Sequence, residues 1–209
     1  MNNSVVMKLA HSGASANETG VTPGLVGKTR KYKIIALMGE AGSGKDTLLN
    51  EILKRNKAFH GIVSCTTRPP REGEVDGKSY FFLTKEEFAE KILNMDMLEA
   101  VSFRDWFYGT SKDSLDKDSI NIGVFNPDGV DALLESDEID LTVYYIRVCE
   151  KTRLIRQLNR ETNPDIDEIF RRYLADKEDF SELNFDYHNI NNETKEDLED
   201  CIKTIIENL

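Results

Sequence analysis

The sequence predicts an α/β fold: a parallel sheet flanked by helices, with a phosphate-binding loop at its centre. Two observations carry this. Strand-like apolar runs alternate with segments of helical spacing from Lys31 onward, the pattern of a parallel sheet with crossover helices. Between the first strand and the first helix lies Gly39-Glu40-Ala41-Gly42-Ser43-Gly44-Lys45-Asp46-Thr47. Glycines at these places let backbone N–H groups converge on phosphate oxygens, the helix N-terminus adds partial positive charge, and Lys45 adds a full one. A P-loop normally continues from Gly-Lys into Ser or Thr, whose hydroxyl reaches a magnesium ion; here Asp46 follows, and Thr47 comes one place later.

The elements follow in order. Residues 1–30 are rich in Ser, Gly, Asn and Thr without apolar periodicity, which reads as a flexible tail. Lys33 to Met38 is a buried strand, and Leu48, Leu49, Ile52 and Leu53 give the helix after the loop its apolar face. Gly61 to Thr66 reads as a strand, the Pro- and Gly-rich stretch from Thr67 to Ser79 as a loop, and Tyr80 to Leu83 as a strand again. Thr84-Lys85-Glu86-Glu87 is a capping box for a helix reaching about Asn94. Met97 to Phe103 and Trp106 to Tyr108 are two short strands of a small β sub-lobe, and Gly109-Thr110-Ser111 turns into a helix. Ile120 to Phe125 is a second core strand, with a short helix from about Val130 to Glu135 that Asp128 could cap. Leu141 to Val148 is a third core strand, followed by helices over Glu150 to Arg160 and Asp167 to Leu183. Asp186 to Asn191 is an edge strand and Thr194 to Glu207 a closing helix.

Composition narrows the function classes. At 209 residues, 39% hydrophobic and 31% charged, the chain suits one soluble domain. It has no membrane-length apolar run and no secretory h-region around Val5, Val6 and Met7. Cys65, Cys149 and Cys201 show no metal spacing, so reduced thiols and a cytoplasmic location are expected. A net charge of −11 disfavours a nucleic-acid partner, which needs a basic face, but leaves room for a small phosphate ligand on a local cationic cluster. A monomer and a homodimer are both compatible with these features.

Such a cluster is present. Arg68 and Arg71, braced by Pro69 and Pro70, form a cationic fork for phosphate oxygens, each charge-assisted bond contributing about 1.5–3 kcal/mol. Tyr80 can add a hydroxyl. Taken alone, an Arg-x-x-Arg pair fits a solvated loop paired with Glu72, Glu74 and Asp76 just as well. The whole stretch is more specific. Ser-Cys-Thr-Thr-Arg-Pro-Pro-Arg-Glu-Gly-Glu-Val-Asp-Gly-Lys-Ser-Tyr-Phe-Phe, from Ser64 to Phe82, resembles the monophosphate-binding segment of guanylate kinases. Leu98-Glu99 and Tyr108-Gly109-Thr110-Ser111 are similar to the rest of that family's guanine site. The resemblance covers most of residues 33–205 and is strongest over 39–111.

The resemblance implies a P-loop core (31–60 and 112–209), a small mixed-β lobe binding a nucleoside monophosphate (61–111), and a helical lid (about 153–175). It implies that ATP binds on Gly39 to Thr47. Ser64, Arg68, Arg71, Tyr80 and Tyr108 would hold the acceptor phosphate. Glu99 would accept from guanine N1–H and the 2-amino group, and Thr110 would bond near O6. A carboxylate suits guanine, which presents two adjacent donors where adenine does not. Phosphoryl transfer needs alignment and cations more than covalent help. Lys45 and lid arginines would supply the cations: Arg156 and Arg160, which share a helix face, and Arg171 or Arg172, between which the sequence does not choose. Arg153 is as compatible with a solvated, ion-paired helix as with function, and ion pairs such as Arg172 with Asp176 fit the helical spacing. Asn189, Asn191 and Asn192 lie where the family meets the adenine of ATP.

The chain also departs from the family pattern. Where guanylate kinases carry aspartates at a strand end, this chain reads Val124-Phe125-Asn126. Asn126 therefore stands among the GMP-binding positions as an amide, and Asp46 with Thr47 becomes the candidate magnesium-binding pair. The reading is a magnesium-dependent kinase transferring phosphate from ATP to GMP or dGMP. Two alternatives stay open: a deoxynucleoside monophosphate kinase of other base specificity, and a guanylate-kinase-like module that binds without turnover.

Overall fold

The computed structural model describes residues 31–70, 73–103, 105–160 and 162–208. The expected tail, residues 1–30, and Arg71 lie outside them. The fold class is the expected one. Five parallel strands, β2 (Phe59–Gly61), β7 (Ile120–Val124), β1 (Tyr32–Met38), β8 (Ile139–Arg147) and β9 (His188–Asn191), lie side by side in that order.

β1 is central, so both of its faces must be covered, and Ile34 to Met38 are all buried. Strand periodicity divides them. Ile35 and Leu37 pack with Leu48, Ile52, Ile202 and Ile205 of α1 (Lys45–Arg55) and α6 (Lys195–Glu207). Ile34, Ala36 and Met38 pack on the opposite face with Val130 and Leu133 of α3 (Pro127–Leu134) and with Leu98. The helices are placed by local chemistry as well as burial. Thr84 and Thr194 open α2 (Lys85–Leu93) and α6 with capping boxes, each satisfying two backbone donors of a first turn. α4 (Glu150–Leu158) and α5 (Ile166–Asp179) follow β8 and pack on one another.

A second, mixed sheet has the order β4 (Phe81–Phe82), β3 (Cys65–Thr66), β6 (Trp106–Ser111), β5 (Met97–Phe103). β3 and β4 pair in parallel and the other neighbours antiparallel. Its small core is Cys65, Phe88, Met97 and Ala100, with Phe88 supplied by α2.

The structure corrects three local expectations. The single strand read over residues 61–66 is two strands in different sheets: Ile62 N–H still donates to Ile122 of the parallel sheet, after which the chain crosses to the small one. One β-prone run thus concealed a change of partner. Gly109 to Ser111 does not enter a helix; it extends β6, and only a short 3₁₀ turn, Lys112–Ser114, follows. The cap of α3 is Asn126 rather than Asp128. Its side-chain oxygen accepts from Gly129 N–H at 2.9 Å, and Pro127 takes the first helical position, where its missing N–H costs nothing. Among the described residues no helix is long and apolar enough to cross a membrane.

Candidate functional site

The chain leaves β1 at Gly39 and enters α1 at Lys45, so the phosphate loop sits at the carboxyl edge of the central strand. This is where open α/β sheets bind ligands. Two glycines here are conformationally required: Gly42 has φ +82° and Gly44 φ +89°, in the left-handed region that side chains disfavour. A Cβ on Gly42 would also lie 2.5 Å from the Arg153 carbonyl oxygen. Gly42→Ala is therefore expected to destabilise the protein by about 1–3 kcal/mol, read as a lower urea midpoint at unchanged m-value.

Lys45 lies folded over the loop, its Nζ donating to the carbonyls of Gly39 at 2.6 Å and Glu40 at 3.1 Å. Burial pushes its pKa down, while the carboxylates of Asp46, Asp176 and Glu40 act to sustain its charge. Ser43 is fully buried, and its carbonyl accepts from the Asn192 side chain at 2.7 Å. Arg156 bonds to the carbonyls of Gly42 at 3.3 Å, Asn192 at 2.8 Å and Glu193 at 3.1 Å. Asn192 and Arg156 thus tie the loop to the β9–α6 turn. Neither lines the cavity beside the loop.

That cavity, of about 370 Å³, runs between the two sheets. It brings together Gly39, Ala41 and Lys45 of the loop with Ser64, Tyr80, Glu99, Tyr108, Asn126, Arg171 and Arg172. Thr110 joins through its hydroxyl, which donates to Glu99 Oε1 at 2.8 Å. Glu99 is only 5% exposed, and burial pushes its carboxyl up to about 7 against the pull of the Thr110 hydrogen bonds. The rings of Tyr80 and Tyr108 meet edge-on at 6.1 Å. Arg68 lies beside them, its guanidinium 5.6 Å from the Tyr80 ring centre and 5.8 Å from that of Phe82. Both of its terminal nitrogens reach Glu74, at 3.0 and 2.9 Å.

The arginines divide. Arg171 and Arg172 face the cavity from α5 and both bind Glu168 of the same helix, at 2.6 and 2.9 Å. The hydrogen bonds from Arg171 lead in lowering the Glu168 carboxyl to about 2, partial burial opposes them, and Arg172 adds to the fall. Arg172 therefore pairs one turn back with Glu168, not forward with Asp176 as helical spacing allowed. Arg160 is exposed beyond the end of α4 and does not line the cavity. Asp46 and Thr47 are exposed in the first turn of α1.

Sequence reasoning missed a charged cluster across the loop. Glu40 Oε1 pairs with Arg153 at 3.1 Å, and Glu40 Oε2 accepts from the Tyr145 hydroxyl at 3.0 Å. Asp176 of α5 accepts from Ala41 N–H at 2.7 Å. Gln157 donates to the Ala41 carbonyl at 3.4 Å. The only available signal was negative: Arg153 and Gln157 are polar residues four apart on a helix that must pack inward.

The chain is similar to several known proteins. The sequence profile described as Guanylate kinase matches residues 31–209. The guanylate kinase of Protochlamydia amoebophila (strain UWE25) is 31% identical over 175 residues, spanning 82% of this chain and 89% of that relative. That of Thermotoga maritima is 33% identical over 181 residues, 84% and 85% of the two chains. The match to the guanylate kinase of Clostridium tetani is 43% identical but confined to 111 residues, so it spans 51% of this chain and only 48% of that relative. The crystal structure of guanylate kinase from Anaplasma phagocytophilum superposes with a TM-score of 0.60 over 86% of each chain at 24% identity, which speaks to the fold alone.

Proposed function

The chain belongs to the guanylate kinase family, and on that premise we propose that it phosphorylates a nucleoside monophosphate, with ATP as donor and GMP or dGMP as acceptor. The observation that carries the reading is the single cavity with a phosphate loop at one end and a buried carboxylate at the other. Lys45 and the loop amides would bind the donor phosphates. Glu99, held by Thr110, would accept from the two donors on the guanine edge. Ser64, Tyr80 and Tyr108, with Arg68 beside them, would hold the acceptor phosphate in between, and Arg71 is proposed for the same role on the sequence pattern alone. An acceptor phosphate oxygen then attacks the terminal phosphorus in line, and the bond to the bridging oxygen breaks. The new charge on that oxygen is met by Lys45, while Arg171 and Arg172 neutralise the migrating group. In this reading α4 and α5 act as a lid over a donor core, and the small sheet acts as the acceptor lobe.

The loop also fits magnesium, which prefers oxygen ligands and keeps several waters. Asp46 and Thr47 present a carboxylate and a hydroxyl to solvent at the start of α1. No group of three His, Cys, Asp or Glu forms a metal cage among the described residues, so the ion would arrive with the triphosphate. When bound it supplies charge neutralisation between the donor phosphates.

A second reading has its own observation. Asn126 stands where the family carries a carboxylate, and its side-chain oxygen is committed to capping α3. This favours a nucleotide-binding module without turnover. A coupled ADP-release assay over GMP, dGMP, AMP, CMP and dTMP decides between the two. We expect turnover with GMP or dGMP and at least about a hundredfold lower kcat/KM with the other bases. Binding of GMP without turnover of any acceptor would establish the module instead.

A further inference from the structure

We propose that Asp176 is a positioning residue that occupies the phosphate loop of the free protein where a donor phosphate would sit, and so couples donor binding to movement of α5. The inference rests on the reading of this loop as the donor site, and goes beyond it.

The Ala41 N–H belongs to the cradle whose amides point at a bound anion. That amide donates to an Asp176 carboxylate oxygen at 2.7 Å, the length of a charge-assisted bond. A phosphate oxygen cannot share the amide with a carboxylate at this distance, because the two like charges would lie within about 3 Å of each other. Asp176 also does electrostatic work for the loop. It is one of three carboxylates sustaining the charge of buried Lys45, a role that the triphosphate takes over on arrival.

The contact is built to be released. Arg153 reaches Asp176 Oδ2 only at 3.9 Å, while a terminal nitrogen binds Glu40 at 3.1 Å. Arg153 is 6% exposed, yet its Nε has no hydrogen-bond partner among the described residues. A buried donor left unpaired costs free energy, so this network is poised for a second arrangement. Asp176 moreover shares α5 with Arg171 and Arg172, and those two are bonded within the helix, to Glu168. Detaching Asp176 from Ala41 therefore removes a tether between α5 and the loop while the hydrogen bonds from Arg171 and Arg172 to Glu168 lie within the helix. Donor binding would expel Asp176 and release the helix that carries the two cavity-facing arginines.

The test compares wild type with Asp176→Ala and with Asp176→Asn, which keeps the shape but not the charge. Binding of a non-hydrolysable ATP analogue and of GMP is measured by calorimetry, folding by thermal melts, and hydrogen exchange across residues 166–179 with and without the analogue. The expected result is an analogue Kd about tenfold lower in Asp176→Ala, as befits removal of one charge-assisted competitor. Asp176→Asn should shift in the same direction, with GMP affinity within about twofold of wild type in both variants. Exchange in α5 of the free Asp176→Ala variant should rise to the level that wild type reaches only with analogue bound. Unchanged or weaker analogue binding by both folded variants would overturn the proposal. Should wild type bind no analogue, the donor-site reading itself fails. The tether is then judged by exchange alone, and unaltered exchange in Asp176→Ala defeats it.

Discussion

Replacing Lys45 by methionine is expected to lower kcat by about a thousandfold or more, with a much smaller change in KM for the acceptor. The ammonium is held over the loop by the carbonyls of Gly39 and Glu40 at 2.6 and 3.1 Å, so its position is set before substrate arrives. Such preorganisation matters most for charge that appears only in the transition state, here on the oxygen between the β and γ phosphorus atoms. Methionine preserves the stem of the side chain but removes the cation, and leaves Arg153 as the cation beside Glu40 and Asp176. Stability should change little, within about 1 kcal/mol, because the lost hydrogen bonds are offset by relief of a buried charge. Single-turnover rates with GMP, together with a thermal melt, test this. A folded variant with kcat within tenfold of wild type would mean that Lys45 is not the cation that serves the transfer.

The position of Lys45 was readable because local sequence dictates local structure there. A continuous apolar run makes β1 a doubly covered strand, glycines supply the positive-φ turns at Gly42 and Gly44, and a 3.6-residue period makes α1. The same holds for the capping box at Thr84. What stayed hidden depended on partners far apart in the chain. The β-prone stretch 61–66 joins the end of β2 to β3, which pair in different sheets, and nothing in a period of two says which neighbour a strand will choose. Gly109 to Ser111 reads locally as a turn into a helix for the same reason, since the strand partner of Ser111, Met97, lies fourteen residues earlier.

The arginines illustrate the limit most clearly. Arg156, Arg160, Arg171 and Arg172 have equal chemistry in a sequence, yet the fold gives them different surroundings. Two face the cavity, one braces the loop from outside, and one lies exposed beyond α4. Asp176 was legible only as an ion-pair candidate for Arg172; its contact with Ala41 spans 135 residues of sequence. An acidic residue reaching an anion cradle runs against local expectation, and such conflicts between local and global structure tend to gather at functional sites.

Glu99→Gln should produce the second large effect, and pH separates its causes. In the free protein burial lifts the Glu99 carboxyl to about 7, so at lower pH the group is protonated and presents a donor to the guanine edge. Guanine offers donors of its own, which require the ionised form. Acceptor binding by wild type should therefore release a proton below about pH 7, and KM for GMP should rise roughly tenfold per pH unit as pH falls. The glutamine variant has one acceptor and one misdirected amide, so its kcat/KM for GMP should drop about a hundredfold or more at pH 8, with the acid-side pH dependence gone. Stability moves the other way. The folded-state pKa lies above the unfolded value, so the native protein holds an extra proton between about pH 4.5 and 7. Wild type must then lose stability as pH rises through that window, by roughly 1–3 kcal/mol. Glu99→Gln removes this loss and should gain on wild type in denaturant melts between pH 5 and pH 8. Opposite changes in activity and stability at pH 8 from one substitution would mark Glu99 as a buried carboxylate kept for recognition at the expense of the fold. A KM for GMP that stays flat from pH 8 to pH 5.5 would show instead that guanine does not meet its charge.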